Sequence, residues 1–158
     1  DIGANIGRYS VLMAKRGWKV YAFEPLNSNF IQLKKHVKMN NIKKEVKIQK
    51  IGLGENKSKK KIYYLPHKYG EASIVFNKKH FKSEEIQINK LDSIMNKSYQ
   101  KPIILKIDVE GFEYEVLKGS KRFIKINKPI IILEIWQRER HSFSKKFRIQ
   151  KQRRFLVL

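Results

Sequence analysis

Two short runs set the strongest limit on this chain. Ile103-Ile104-Leu105-Lys106-Ile107-Asp108 and Pro129-Ile130-Ile131-Ile132-Leu133-Glu134-Ile135-Trp136 are apolar at nearly every position. A strand apolar on both faces must be covered on both faces, which is the environment of a parallel sheet flanked by helices. Between the two runs, Val116, Leu117, Ser120, Phe123 and Ile124 fall on one side of a helix. The same alternation is present upstream. Residues 18–23 (Trp-Lys-Val-Tyr-Ala-Phe) form a β-favouring run, and Leu26, Phe30, Leu33 and Val37 then make one apolar helical stripe that closes at Asn40-Asn41. Residues 46–53 read as a strand ending at Gly52 and Gly54, and 62–65 as an extra hairpin strand. Ile86 and Ile88 mark another short strand, followed by a helical turn at Leu91-Asp92. Strands separated by helices predict an α/β fold with a doubly wound, mostly parallel sheet.

At 158 residues, with 41% hydrophobic and 11% aromatic residues, the chain can bury the core of one domain. The absence of cysteine excludes disulfides, Cys-ligated zinc and thiol catalysis. The longest apolar run is interrupted by Glu134 and falls short of the ~20 residues a membrane helix needs, so no membrane span is expected. A cytoplasmic location is a separate expectation. The formal net charge is +22. Such a value suits nucleic acid or an anionic surface as partner. However, the basic residues are 28 Lys against 8 Arg, with 21 Ile and 4 Ala, which is the bias of an AT-rich genome. Nucleic-acid sites favour the bidentate fork of Arg. Compositional bias is therefore the preferred account of the charge.

Chemistry begins at Asp1-Ile2-Gly3-Ala4-Asn5-Ile6-Gly7, which leads into a helical stretch. Gly3 and Gly7 permit a tight turn and a close backbone approach to a ligand at a helix N-terminus. Asn5 tolerates the left-handed conformation. The spacing is not the dinucleotide fingerprint G-x-G-x-x-G. The leading carboxylate suits a cationic ligand and would repel a pyrophosphate. Glu24 ends the next strand 21 residues beyond Gly3, the placement of an acid that accepts hydrogen bonds from ribose hydroxyls.

Residues 1–10 (DIGANIGRYS), 22–25 (AFEP), 105–119 (LKIDVEGFEYEVLKG) and 129–136 (PIIILEIW) together resemble the FkbM-type family of S-adenosylmethionine-dependent methyltransferases. Gly70-Glu71-Ala72-Ser73 and Leu91-Asp92 resemble that family's middle segments. The resemblance implies a Rossmann-like (class I methyltransferase) sheet, truncated here at its N-terminal strand. Residues 1–140 would form that domain and 141–158 a basic C-terminal tail. It further implies that S-adenosylmethionine is held by Asp1, Gly3, Asn5, Gly7, Glu24 and Pro25, at the carboxyl ends of the strands. The implied reaction is methyl transfer to a hydroxyl of a sugar, glycolipid or natural-product-like acceptor.

Of only three Asp residues, Asp1 and Asp108 stand at ligand-facing strand ends. Asp108 is placed to orient the acceptor hydroxyl or take its proton. Glu110 and Glu113 fit equally a helix cap and a substrate contact. Glu134 puts a carboxylate in an apolar strand, where it needs a partner. It can pair with Lys106, hold the acceptor, or join Asp108 around a divalent cation; two carboxylates are a thin metal site, and no metal is expected. Lys106, Asp108 and Glu134 are thus the candidate catalytic residues. As a set they also allow ribose methylation of RNA. A non-catalytic nucleic-acid module built on the basic surface is the remaining alternative.

Overall fold

The computed structural model describes residues 1–66, 72–75, 81–134 and the backbone of 155–157. Its elements run α1 (Arg8–Lys15), β1 (Val20–Phe23), α2 (Asn27–Met39), β2 (Val46–Gln49), β3 (Gly52–Leu53), β4 (Ser58–Tyr64) and β5 (Lys82–Asn89). There follow α3 (Leu91–Ile94), β6 (Ile104–Ile107), α4 (Glu113–Lys118), α5 (Lys121–Asn127), β7 (Ile130–Glu134) and β8 (Phe155–Val157). The fold is mixed α/β.

β1 pairs with β2 and β6 with β7, both in parallel, while β8 lies antiparallel to β7. Ile2 joins the two groups, since it bridges Phe23 on one side and Ile107 on the other, again in parallel. The Ile2 N–H donates to the Lys106 carbonyl at 2.9 Å, and the Asp108 N–H to the Ile2 carbonyl at 3.0 Å. The spatial order is therefore β2, β1, Ile2, β6, β7, β8. In consequence, the turn after Ile2, the turn after β1 and the turn after β6 emerge side by side at one end of the strands.

Alternation along β1 separates two cores. Val20 and Ala22 pack with Ala14 of α1 and Leu33 and Val37 of α2. Phe23 turns the other way and packs with Ile2, Leu105, Ile107, Leu133 and side chains of α3, α4 and α5. A second, smaller sheet has the order β3, β5, β4, with β3 parallel and β4 antiparallel to β5. Its Ile62, Ile86 and Ile88 close over Leu26, at the start of α2.

Three expectations are corrected. The strand read over 46–53 is two strands in two sheets: Gln49 still pairs with Phe23, but Gly52 pairs with Ile88. A Cβ at Gly52 would lie 2.6 Å from the Ile88 side chain, so this crossing suits glycine. The single helix read through Val116 and Ile124 is two helices, broken at Gly119-Ser120. There the Asp92 carboxylate accepts the N–H groups of Arg122 and Phe123 at 3.0 and 2.7 Å and starts α5 anew. Nor are β6 and β7 buried on both faces. Leu105, Ile107, Ile131 and Leu133 are buried, but Lys106 and Ile132 are half-buried and Ile130 is exposed. The Ile103 to Asp108 run therefore owes its single lysine to ion pairs with neighbouring acids, described below. Trp136 and residues 141–154 of the basic tail lie outside the described residues.

Candidate functional site

A cavity of about 270 Å³ opens at the end of the sheet where those three turns emerge. Gly3 and Asn5 form one side, Glu24, Pro25 and Asn29 the next, and Asp108, Val109, Glu110 and Phe112 another. Glu134 reaches it from β7, and Ile62, Ala72 and Ile74 wall it from the smaller sheet. A second cavity of about 580 Å³ lies between β1 and β6 and is lined largely by apolar side chains.

The opening turn is built for close approach. Gly3, Asn5 and Gly7 all adopt positive φ, at 76°, 53° and 92°. A Cβ on Gly3 would sit 1.8 Å from the Asp108 carbonyl oxygen, so only glycine lets the turn meet the end of β6. The N–H groups of Gly3 and Ala4 both donate to the Phe23 carbonyl, at 3.1 and 3.0 Å. Glu24 locks the turn from the other side. Its Oε2 accepts the Asn5 N–H at 2.8 Å and its Oε1 the Leu26 N–H at 2.9 Å. Glu24 is only 4% exposed. Burial pushes its carboxyl up to about 7, against the backbone N–H groups of Leu26 and Asn5 and the Asn29 side chain, which favour the charged form.

Asp1 is held by neighbouring side chains. Its Oδ2 accepts the Ser10 hydroxyl at 2.6 Å, and its Oδ1 lies 3.5 Å from Lys106 Nζ. Lys106 Nζ is also 3.3 Å from Asp108 Oδ2 and 4.9 Å from the centre of the Tyr9 ring. One ammonium thus sits between the two aspartates behind the cavity. Asp1, Lys106 and Gly7 line no part of the 270 Å³ cavity. A Cβ on Gly7 would meet Leu33 of α2, so this glycine serves packing.

Asp108, Glu110 and Glu134 do line the cavity, together with Gly3, Asn5, Glu24 and Pro25. The turn after Asp108 carries Glu110 at φ 51° and Gly111 at φ 100°. Glu113 is fully buried, and its Oε1 accepts the N–H groups of Val109 and Gly111 at 3.1 and 3.2 Å. Glu113 thus clamps the turn before α4, a use other than the helix cap or the substrate contact that the sequence suggested. Four carboxylates facing one cavity in a chain of net charge +22 favour a ligand that brings positive charge or several hydroxyls. Among the described residues, no group of three His, Asp or Glu side chains is disposed to hold a metal ion.

Sequence reasoning missed Asn29, Phe112 and the wall formed by Ile62, Ala72 and Ile74. Asn29 had a signal. It lies three residues after Leu26 and four before Leu33, so it puts an amide on the buried stripe of α2, where it is 2% exposed. Phe112 sits in the turn between β6 and α4, whereas Ile62, Ala72 and Ile74 come from the smaller sheet and the segment bridged to it, and no local pattern announces that wall.

An α/β chain with an acid-lined cavity at the carboxyl ends of its parallel strands is a binding fold for a small ligand. Comparison with known proteins narrows this. The family described as the methyltransferase FkbM domain matches residues 1–154, and the chain belongs to it. Methyltransferase sdnD of Sordaria araneosa is 26% identical, over 75% of this chain and 58% of its own length. The crystal structure of methyltransferase FkbM from Methylobacillus flagellatus KT superposes with a TM-score of 0.60 at 23% identity, covering 85% of this chain and 31% of that one. The chain thus spans a little over half of the curated relative and about a third of the solved one.

Proposed function

We propose that this chain transfers the methyl group of S-adenosylmethionine to a hydroxyl oxygen of a sugar, glycolipid or natural-product-like acceptor, on a Rossmann-like, doubly wound sheet. The observation that carries the reading is the convergence of the Gly3 turn, Glu24 and Asp108 on one cavity lined by four carboxylates.

The residues suit that cofactor. The Glu24 carboxylate offers about four acceptor positions. Two are taken by backbone N–H groups and one by Asn29, which leaves room for a ribose hydroxyl. The absent side chain at Gly3 lets a ligand approach the backbone. S-adenosylmethionine, when bound, supplies an already activated methyl group, so the protein's task is alignment and proton removal. Asn5 and Glu24 hold one side of the ligand, while Pro25 and the Ile62, Ala72 and Ile74 wall exclude water. Asp108 orients the acceptor hydroxyl and accepts its proton, with Lys106 keeping the carboxylate in place from behind. Glu134 faces the same cavity and holds the acceptor by a second hydroxyl. Asp1 acts through Lys106 and Ser10, not by touching the ligand. Ribose methylation of RNA would require Lys106 at the acceptor, and its position behind the cavity favours the first reading.

The test is calorimetry with S-adenosylhomocysteine, followed by transfer of labelled methyl from S-adenosylmethionine to glycans, lipids, small alcohols and RNA. Binding together with transfer to a hydroxylated non-nucleic-acid acceptor is expected. Failure to bind S-adenosylhomocysteine overturns the cofactor reading, and transfer to RNA alone overturns the acceptor reading.

A further inference from the structure

Ser73 is 4% exposed, yet it belongs to neither of the two cores of the main sheet. Its hydroxyl makes two hydrogen bonds to described residues. It donates to the Glu110 carbonyl at 2.6 Å and accepts the Val75 N–H at 3.1 Å. Its backbone is fixed separately: Ser73 N–H donates to the Tyr63 carbonyl at 2.9 Å and Tyr63 N–H to the Ser73 carbonyl at 2.8 Å, which attaches the segment to β4. The residues on either side, Ala72 and Ile74, line the cavity, whereas Ser73 does not. The segment therefore presents its apolar neighbours to the ligand and spends its hydroxyl on the turn that follows Asp108.

That turn needs holding. Glu110 is a non-glycine residue at φ 51°, a conformation that persists only where the surroundings over-determine it. Glu113 holds the turn from within, through the N–H groups of Val109 and Gly111. Ser73 holds it from outside, through a carbonyl 37 residues away in sequence. The bond runs from the smaller sheet's wall to the strand end that carries Asp108.

We propose that Ser73 is a positioning residue for methyl transfer: through the Glu110 carbonyl it sets the Asp108 turn and fixes the cavity wall at Ala72 and Ile74. This rests on the methyl-transfer reading above. Its consequence is that the smaller sheet takes part in the chemistry by fixing the distance between acceptor and base.

The experiment uses the full chain and compares wild type with Ser73→Ala, Asp108→Asn and the double variant. An alanine fits where a buried serine stood, so the variant removes the hydroxyl and little else. In hydrogen exchange, the Val109 and Gly111 amides should exchange at least about tenfold faster in Ser73→Ala, with the β1 and β6 amides unchanged. Equal acceleration everywhere would mean a general loss of stability and overturn the proposal, as would no change at Val109 and Gly111. On the acceptor identified by the labelled-methyl screen, Ser73→Ala should lower kcat by about 10- to 100-fold. Added to Asp108→Asn, it should lower kcat by less than about twofold, because its effect passes through that carboxylate. Two losses that multiply in full would overturn the coupling. Wild type serves as the control: if it neither binds S-adenosylhomocysteine nor transfers methyl, the reading of the site fails, a result distinct from a silent Ser73 variant in an active enzyme.

Discussion

Glu24 offers a direct measurement of how the cavity is built. It is nearly sealed from solvent, and burial raises its carboxyl from 4.5 to about 7. The native protein therefore holds this proton more tightly than the unfolded chain does. The stability that the group contributes is complete below pH 4.5 and is lost as the pH rises through about 7. At about 1.4 kcal/mol per pH unit, that span amounts to about 3 kcal/mol. Glu24→Gln keeps the shape and does not titrate. It retains an oxygen for one of the two N–H groups of Asn5 and Leu26 and turns an amide N–H toward the other. That defect costs the same at every pH, so the titration appears in the difference between the proteins. Urea unfolding of both from pH 4 to 8.5 should show Glu24→Gln gaining about 3 kcal/mol on wild type between pH 4.5 and 8. A difference that stays flat to within about 0.5 kcal/mol would refute the burial argument, since the uncertainty of extrapolation is of that order. A ligand hydroxyl donating to Glu24 favours the charged form, so S-adenosylhomocysteine should bind more tightly at pH 8 than at pH 6. The opposite trend would place the ribose elsewhere.

Asp108→Asn should leave S-adenosylhomocysteine affinity within about threefold while kcat falls roughly 10²–10⁴-fold, as paired calorimetry and transfer rates would show; normal turnover would make Asp108 structural. Gly3→Ala forces a side chain into the Asp108 carbonyl at φ 76°, and denaturant unfolding should record a loss of about 2–5 kcal/mol, with ligand binding abolished. Asp92→Ala removes the acceptor for the N–H groups of Arg122 and Phe123, which should cost about 0.5–2 kcal/mol of stability in the same assay and leave ligand affinity unchanged.

The sequence by itself carried the α/β alternation, the membership of a methyltransferase family and, around the cavity, Gly3, Asn5, Glu24, Pro25, Asp108 and Glu134. Each rests on a short-range constraint. Apolar residues spaced 3.6 or 2 apart declare a helix or a strand. Gly3 and Asn5 declare a left-handed turn, and an acid at the end of a strand such as Glu24 or Asp108 declares a polar task. Only the tertiary structure divided those acids by position. Asp1 and Asp108 look alike in sequence, yet the register that pairs Ile2 with Ile107 turns Asp1 toward Lys106 and Ser10, while Asp108, one residue beyond β6, reaches the cavity. Gly3 and Gly7 differ in the same way: one meets the Asp108 carbonyl and the other Leu33. The wall at Ile62, Ala72 and Ile74, and the hold of Ser73 on Glu110, depend on one sheet packing across the end of another. Such contacts join residues tens of positions apart, and nothing in the local pattern of side chains encodes which distant strand will arrive.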